Sequence, residues 1–356
     1  MDNKKVLLLG AGFTANFGAP VSSQIWNDLF NCISIQKNHK LRTILKKHQV
    51  KSDFEGFFEE TIYDNVISVE EKKLVIDIIL NVYYQINTHT SYVVENNSSG
   101  ICLEKLALFL QRFSNIKDGV GYIFTLNQDI FLEKLINKYL RKNSNFVDYS
   151  VFYPGPINPP YIDDQWSTIL PVQENLNEWL SKPNLGGTLN NKRIFPWYVK
   201  LHGSSGWKKN NEKLHIPVIG KNKSKIIYQQ PLLNWYMELF KKNLHEQVDI
   251  WVIGYSFFDK HINEVLIQSL IEKNSSLYII NPMPLNDFIK KISSVDKIMV
   301  DAIDKKLAGY FPYYLNQLFS KNFNYPSYSS ERLRKSLDKI EDIGSLNVFI
   351  DNDLST

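Results

Sequence analysis

The chain predicts an α/β protein: a Rossmann-like, doubly wound parallel sheet carrying a helical insertion. Short apolar runs recur along it and mostly end at Gly, Asn, Asp or His, as strands buried on both faces do. Helical stretches separate these runs, and that alternation argues for a parallel sheet. The first run, Val6-Leu7-Leu8-Leu9, passes straight into Gly10-Ala11-Gly12, a turn suited to lead from a first strand into a helix.

Strands are expected at residues 5–9, 121–126, 197–201, 249–254, 276–280 and 297–300. Helices are expected at 21–30, where Pro20 suits the entry to a first turn, at 70–87 and at 129–141. Residues 1–30 and 120–310 make up the sheet domain, and residues 31–119, mostly helical, read as an insertion or small module packed over it. Residues 142–196 are rich in Pro, Asn and Trp, a long irregular segment that suits a lid or an interface. In the C-terminal extension, 311–356, Leu333, Leu337, Ile340 and Ile343 fall near helical spacing. They mark an amphipathic helix, either docked on its own domain or forming an assembly surface.

A chain of 356 residues, 44% hydrophobic and 22% charged, suits one elaborated soluble domain or two. No apolar run approaches the ~18 residues of a membrane span, so no membrane association is expected. The apolar run after Lys4-Lys5 breaks at Gly10, which argues against a signal peptide. Cys32 and Cys102 form no CxxC pair, metal spacing or disulfide framework, and this fits a reducing cytoplasm. The net charge of +4 is mildly basic. The run Lys221-Asn222-Lys223-Ser224-Lys225 reads as a solvated loop, with phosphate contact as its alternative. The aromatic residues are spread out and form no basic-aromatic stripe, so no direct nucleic-acid binding is expected.

Three strand ends carry the candidate chemistry. In Gly10-x-Gly12-x-x-Ala15, Gly10 permits a tight turn and Gly12 lets backbone N–H groups approach a pyrophosphate. The expected helix after Pro20 starts several residues later, so loop amides would do more of that work than a helix N-terminus. The plain alternative is a turn whose glycines serve packing. A Rossmann dehydrogenase would place an acid ~20 residues on, at the end of the second strand; here Asp28 and Asn31 lie in or just after a predicted helix. Asn127 and Asp129 end the second strand. Asp129 either caps the next helix or faces a ligand, whereas Asn127 is placed to hold a ribose hydroxyl or a water. His202 ends the third strand before Gly203-Ser204. Of the other histidines, only His261 follows a strand closely.

The ordered set Gly10-Ala11-Gly12-Phe13-Thr14-Ala15-Asn16, Thr125-Leu126-Asn127-Gln128-Asp129, Lys200-Leu201-His202-Gly203-Ser204, Val252-Ile253-Gly254-Tyr255-Ser256-Phe257 and Ile279-Ile280-Asn281 resembles the sirtuin superfamily. More narrowly, it is similar to the bacterial sirtuin-like NADase effectors of anti-phage defence. The resemblance implies that Gly10, Ala11 and Gly12 cradle the NAD+ phosphates, with Phe13, Thr14 and Asn16 in the same cofactor-binding loop. It places Asn127 and Asp129 by the nicotinamide ribose and makes His202 the catalytic histidine, with Asn127 its partner. Gly254 and Ser256 would contact phosphate and ribose, and Asn281 the adenosine ribose. Asp53-Phe54-Glu55 resembles a segment common in the defence group and has no role readable from sequence.

Deacylating sirtuins hold a structural zinc on paired CxxC cysteines, and a chain with two unpaired cysteines lacks that module. The 142–196 insertion would cover the acyl-lysine channel. The resemblance therefore implies NAD+ as substrate, cleaved to nicotinamide and ADP-ribose or a cyclic form in abortive infection, with no metal needed. It further implies a homo-oligomer, switched by assembly or by a separate HerA-type ATPase or Argonaute-type activator. An NAD-dependent protein deacylase and a catalytically silent sensor of NAD or an NAD derivative are the competing readings.

Overall fold

The computed structural model describes residues 4–114, 121–140, 196–205, 207–209, 212–214, 218–220, 222–321 and 332–333, with the short strand pieces Gly155–Pro156, Thr168–Leu170 and Pro183–Asn184. Its main sheet has six parallel strands: β1 (Lys4–Leu9), β2 (Tyr122–Thr125), β3 (Trp197–Lys200), β4 (Val248–Ile253), β5 (Ser276–Ile280) and β6 (Leu307–Phe311). Their order is β6-β5-β4-β1-β2-β3. β1 is central because its apolar run suits burial on both faces: Val6, Leu7 and Leu8 are wholly buried, and Val6 pairs with Tyr122 on one side and Ile250 on the other. The chain thus starts mid-sheet, runs out through β2 and β3, then restarts at β4 and runs out the other way. Helical segments connect the parallel strands and flank the sheet. The strand order reverses between β1 and β4, the switch point at whose carboxyl edge sheets of this kind form their ligand crevice.

Residues 297–300, expected as a strand, are the start of a helix instead. The Asp296 side chain accepts the Met299 N–H at 3.0 Å, and Met299, Ala302 and Ile303 are buried at helical spacing. The sixth strand follows immediately, at Leu307–Phe311.

The helices after β1 are α1 (Ala11–Ala15), α2 (Ser22–Asn31), α3 (Ile33–Lys37), α4 (His39–Lys47), α5 (Phe54–Tyr63), α6 (Val69–Asn96) and α7 (Leu103–Gln111). α6 begins in a capping box between Ser68 and Glu71 and outruns the expected 70–87. Its polar stretch Asn87-Thr88-His89-Thr90-Ser91 looks like a break. The Thr88 and Thr90 hydroxyls bond back to carbonyls four residues earlier, at 2.9 and 2.8 Å, and so stay compatible with the helix. Trp26, Leu29, Leu41, Phe57, Val75 and Ile79 make a hydrophobic cluster of their own. Val93 and Val94 of α6, and Leu103, Leu106 and Leu110 of α7, join the sheet core instead, so α6 spans both clusters.

The later helices are α8 (Phe131–Leu140), α9 (Lys223–Gln229), α10 (Pro231–Asn243), α11 (Lys260–Glu272), α12 (Leu285–Ser293), α13 (Lys297–Lys306) and α14 (Leu315–Leu318). Among the described residues, no helix is long and apolar enough to cross a membrane. The lid or interface expected at 142–196 and the amphipathic helix expected at 329–343 lie outside the described residues, apart from the strand pieces and residues 332–333.

One buried ion pair fastens β3 to α8. Lys200 is 0% exposed. Its ammonium lies 2.9 Å from Glu133 Oε1 and donates to Ser204 Oγ at 2.9 Å and to the Asp129 carbonyl. The Tyr198 hydroxyl donates to the other Glu133 oxygen at 3.2 Å. Removing one partner of such a pair leaves a bare buried charge. Lys200→Met should therefore cost roughly 3–5 kcal/mol in denaturant unfolding, and adding Glu133→Leu should recover much of the loss. A Lys200→Met protein as stable as the parent would show that the pair carries no weight.

Candidate functional site

The site's floor is a contact between two backbone turns at the crevice. Gly10 N–H donates to Ile253 O at 2.9 Å, and Gly12 N–H to Gly254 O at 2.9 Å. A Cβ on Gly12 would lie 2.8 Å from Gly254 Cα, and one on Gly10 would lie 2.6 Å from Gly254 O. Gly254 has φ +65°, and a Cβ there would sit 2.2 Å from Phe13 N. These glycines let the two turns touch. The expected amide cradle changes accordingly, because the Gly10 N–H is spent on the end of β4 and the Gly12 N–H on the turn after it. α1 also starts directly at Ala11, ahead of the helix expected after Pro20, and Phe13 N–H closes onto Gly10 O at 2.9 Å.

Over this floor stand Thr14, Asn127 and Asp129. Asn127 is 8% exposed; its Nδ2 donates to Thr14 Oγ1 at 3.3 Å, and its backbone N–H to Thr125 Oγ1 at 3.0 Å. Its Oδ1 is buried with no hydrogen-bond partner. An amide oxygen held this way is an unused acceptor, and leaving one buried costs about 1–3 kcal/mol. Asp129 Oδ1 accepts the Phe131 N–H at 3.0 Å at the start of α8, so the capping role expected for it is present. Burial pushes its carboxyl up, against the pull of the Lys200 charge and bonds from Phe131 and Thr14.

His202 sits in the turn after β3 and is 3% exposed. It connects to the Asn127 loop through Gln128, whose Nε2 donates to Val218 O at 2.8 Å while Val218 N–H donates to His202 O at 3.1 Å. Its Nε2 lies 3.1 Å from His261 Nε2. Burial lowers the pKa of His202 to about 3 and that of His261 to about 4, although the nearby Asp259 charge pulls both back up. Both rings are neutral at pH 7. Lys223 Nζ lies 2.7 Å from Asp259 Oδ1 and 2.9 Å from Glu55 Oε1. Against its own burial, Asp259 is pulled down to about 2, chiefly by Lys223. Lys223 is thus a buried ion-pair centre, although its sequence run reads as a solvated loop.

Donor atoms of His202, Asp259 and His261 all lie within 4.8 Å of one another, a set that could hold a metal ion. The Lys223 ammonium already neutralises Asp259, which weakens the case for a second cation there.

The remaining expected residues are placed as follows. Ala11 is exposed at the turn's tip, and Phe13 is buried against Phe17 and Phe131. Asn16 is occupied on both sides: Nδ2 donates to Gly12 O at 2.7 Å and Oδ1 accepts Leu315 N–H at 3.1 Å. Ser256 is half-buried in the loop after β4. That loop also holds Phe257 at φ +59°, a strained conformation for a large side chain. Asn281 ends β5, and its Oδ1 accepts Met283 N–H at 2.9 Å. Sequence reasoning passed over Asp259, read Lys223 as part of a solvated loop, and left Glu55 without a role. The available signal was the Asp259-x-His261 spacing just after β4.

With this geometry in hand, comparison with known proteins is informative. The model of the SIR2-like domain matches residues 122–298, from β2 to the start of α13, and supports a Sir2-type fold. Asn127, Asp129, His202, Gly254, Ser256 and Asn281 lie inside the match; the Gly10–Gly12 turn precedes it. Similar solved structures include Sir2Tm bound to a propionylated peptide, at 12% identity, 94% coverage of each chain and TM-score 0.33. Another is a SIR2 homologue–NAD complex, at 12% identity, 94% coverage of this chain and 90% of the other, and TM-score 0.36. No curated protein matches the chain.

Two outcomes follow. Gly12→Val should both destabilise the fold and disrupt the crevice, because its side chain meets Gly254 backbone rather than open space; a Gly12→Val protein with parental melting temperature would refute the contact. The histidines also predict a pH effect. Both pKa values lie below the ordinary 6.5, so the unfolded chain binds more protons as pH falls. Stability should therefore be lost as pH falls from 6.5 to about 4 for His261 and to about 3 for His202, by up to ~1.4 kcal/mol per pH unit for each ring. In thermal melts, His202→Gln should lose part of that slope, and an unchanged slope would contradict burial of a neutral ring.

Proposed function

We propose that this protein hydrolyses NAD+ to nicotinamide and ADP-ribose, or a cyclic form of it, and acts as an anti-phage effector. The observation that carries the reading is the unpartnered Asn127 Oδ1 after one strand and the buried, neutral His202 after the next, both on the carboxyl edge of the sheet. Nicotinamide leaves the ribose as a neutral molecule, so the reaction needs no general acid. It needs a group that positions water or a ribose hydroxyl and a base that accepts a proton as charge builds. Asn127 Oδ1 suits the first task. A neutral imidazole suits the second: burial disfavours its charged form, and the neighbouring Asp259 charge offsets part of that cost.

The phosphates would lie over the Gly10–Gly12 and Gly254 turns, with Ala11 at the open tip, Ser256 beside them and Asn281 toward the adenosine ribose. Asp129, whose carboxyl burial pushes up, either adds negative potential near the developing cation or only positions Asn127. The two unpaired cysteines weigh against the zinc-bearing deacylase, and the Asn127–His202 arrangement weighs against a silent sensor. A lethal activity requires restraint, which is the reason to expect a homo-oligomer or a separate HerA-type or Argonaute-type activator.

Incubation with NAD+ and chromatography of the products tests the reading. Asn127→Ala and His202→Ala should each lower nicotinamide release by about 100- to 10,000-fold, with NAD+ affinity little changed. Near-normal cleavage by His202→Ala would refute the mechanism, and intact NAD+ under every activating condition would refute the activity.

A further inference from the structure

His202 is not a lone base. Its Nε2 faces His261 Nε2 at 3.1 Å. At that distance a single proton lies between the nitrogens, so one ring donates and the other accepts. The two rings must therefore choose their tautomers together. Asp259 stands beside both, within the 4.8 Å cluster. On its other side Asp259 meets Lys223 Nζ at 2.7 Å, and Lys223 meets Glu55 Oε1 at 2.9 Å. Glu55 belongs to α5, in the helical layer, whereas His202 follows β3 and His261 lies on α11.

The Lys223 ammonium stands between the two carboxylates, and burial pushes the Glu55 carboxyl up. Asp259, held below the usual carboxylate range, is the carboxylate that stands beside the rings. Burial disfavours a charged ring, because an unpaired imidazolium away from water is costly, and the Asp259 charge offsets part of that cost for both rings.

We propose that His202 and His261 act as one proton-accepting pair, with Asp259 as its counter-ion and Glu55–Lys223 fixing Asp259 from the helical layer. The inference deepens the NAD+ reading and rests on it for the identity of the reaction. As the C1′–N bond breaks, nicotinamide leaves with that bond's electron pair, and the water oxygen bonds to C1′. The ribose hydroxyl lends its proton to the ring pair and takes back the one that the water loses. The pair then passes its proton to solvent, so one proton is released per turnover. His261 is thereby a second catalytic residue; Asp259, Lys223 and Glu55 are positioning residues.

Two measurements on the full chain test this. The first is ¹⁵N NMR of histidine-labelled protein without substrate. One protonated and one bare Nε2, coupled through their hydrogen bond, are expected, and replacing either histidine by Gln should abolish the coupling. Two bare Nε2 atoms, or two independent rings, would overturn the pair whatever the reaction proves to be. The second is steady-state kinetics with NAD+. His261→Gln, His261→Asn and Asp259→Asn should lower kcat by about 10- to 1,000-fold and leave KM within about threefold. Lys223→Met should lower kcat about tenfold, with Lys223→Arg restoring most of it. Parental kcat in folded His261→Gln and His261→Asn proteins would overturn the catalytic role. If the wild-type chain leaves NAD+ intact while the NMR shows the coupled rings, the substrate reading fails and the pair stands.

Discussion

The contact of backbone on backbone between the turn after β1 and the turn after β4 is the constraint on which the rest depends. Adjacent parallel strands lie only ~4.8 Å apart, so the turns leaving β1 and β4 start at that separation. Side chains would push them apart. Glycine at positions 10, 12 and 254 removes the obstruction, and Gly12 N–H and Gly254 O close the gap at 2.9 Å. Because the turns are docked, α1 starts at once and sets Thr14 under Asn127. Because Gly254 takes a left-handed turn, the chain reaches Asp259 and His261 on the same edge as His202. A conventional phosphate loop spends its glycine amides on the ligand; here those amides lock the floor, and the candidate ligand groups stand above it.

A second regularity concerns polar groups. The carboxyl edge is crowded with buried polar side chains, and nearly all are used internally. Lys200 meets Glu133, Ser204 and a carbonyl; Gln128 bridges toward His202; Ser205 bonds the Gln128 carbonyl at 2.7 Å. Against that background two adjacent amide oxygens, Asn127 Oδ1 and Gln128 Oε1, are buried without a partner. Asn127 is held by its Nδ2 bond to Thr14 and its backbone bond to Thr125, so its Oδ1 is fixed in place as an acceptor.

The sheet was legible because its strands obey a simple rule: an apolar run buried on both faces, ended by a turn residue. The rule failed at 297–300, where Ile298, Met299 and Val300 look strand-like and the cap supplied by Asp296 decides for helix. Asn127 and His202 were visible because they end strands. Asp259 and His261 follow a strand too, but a loop with two left-handed residues intervenes, and no local pattern reveals where such a loop comes back. Lys223 was misread because its neighbours in sequence are lysines and asparagine. Its burial comes from Glu55, far away in the chain.

The last point concerns how the helical layer meets the sheet. Several of its polar ties end on loops of the candidate site. Asn87 of α6 donates to Ser205 Oγ at 2.9 Å and accepts Ile130 N–H at 3.1 Å, spanning the loops after β2 and β3. His89 contacts the Phe17 carbonyl at 3.1 Å, just beyond α1. Glu55 reaches the Asp259 end through Lys223. The layer therefore holds the loops that carry Asn127, His202 and Asp259 at separate points. A shift of α5 or α6 by even one ångström would lengthen these bonds beyond useful range, because hydrogen bonds weaken steeply outside 2.7–3.2 Å. The helical layer is thus mechanically part of the site: displacing α5 or α6 would disturb the loops of His202 and Asp259 through these bonds.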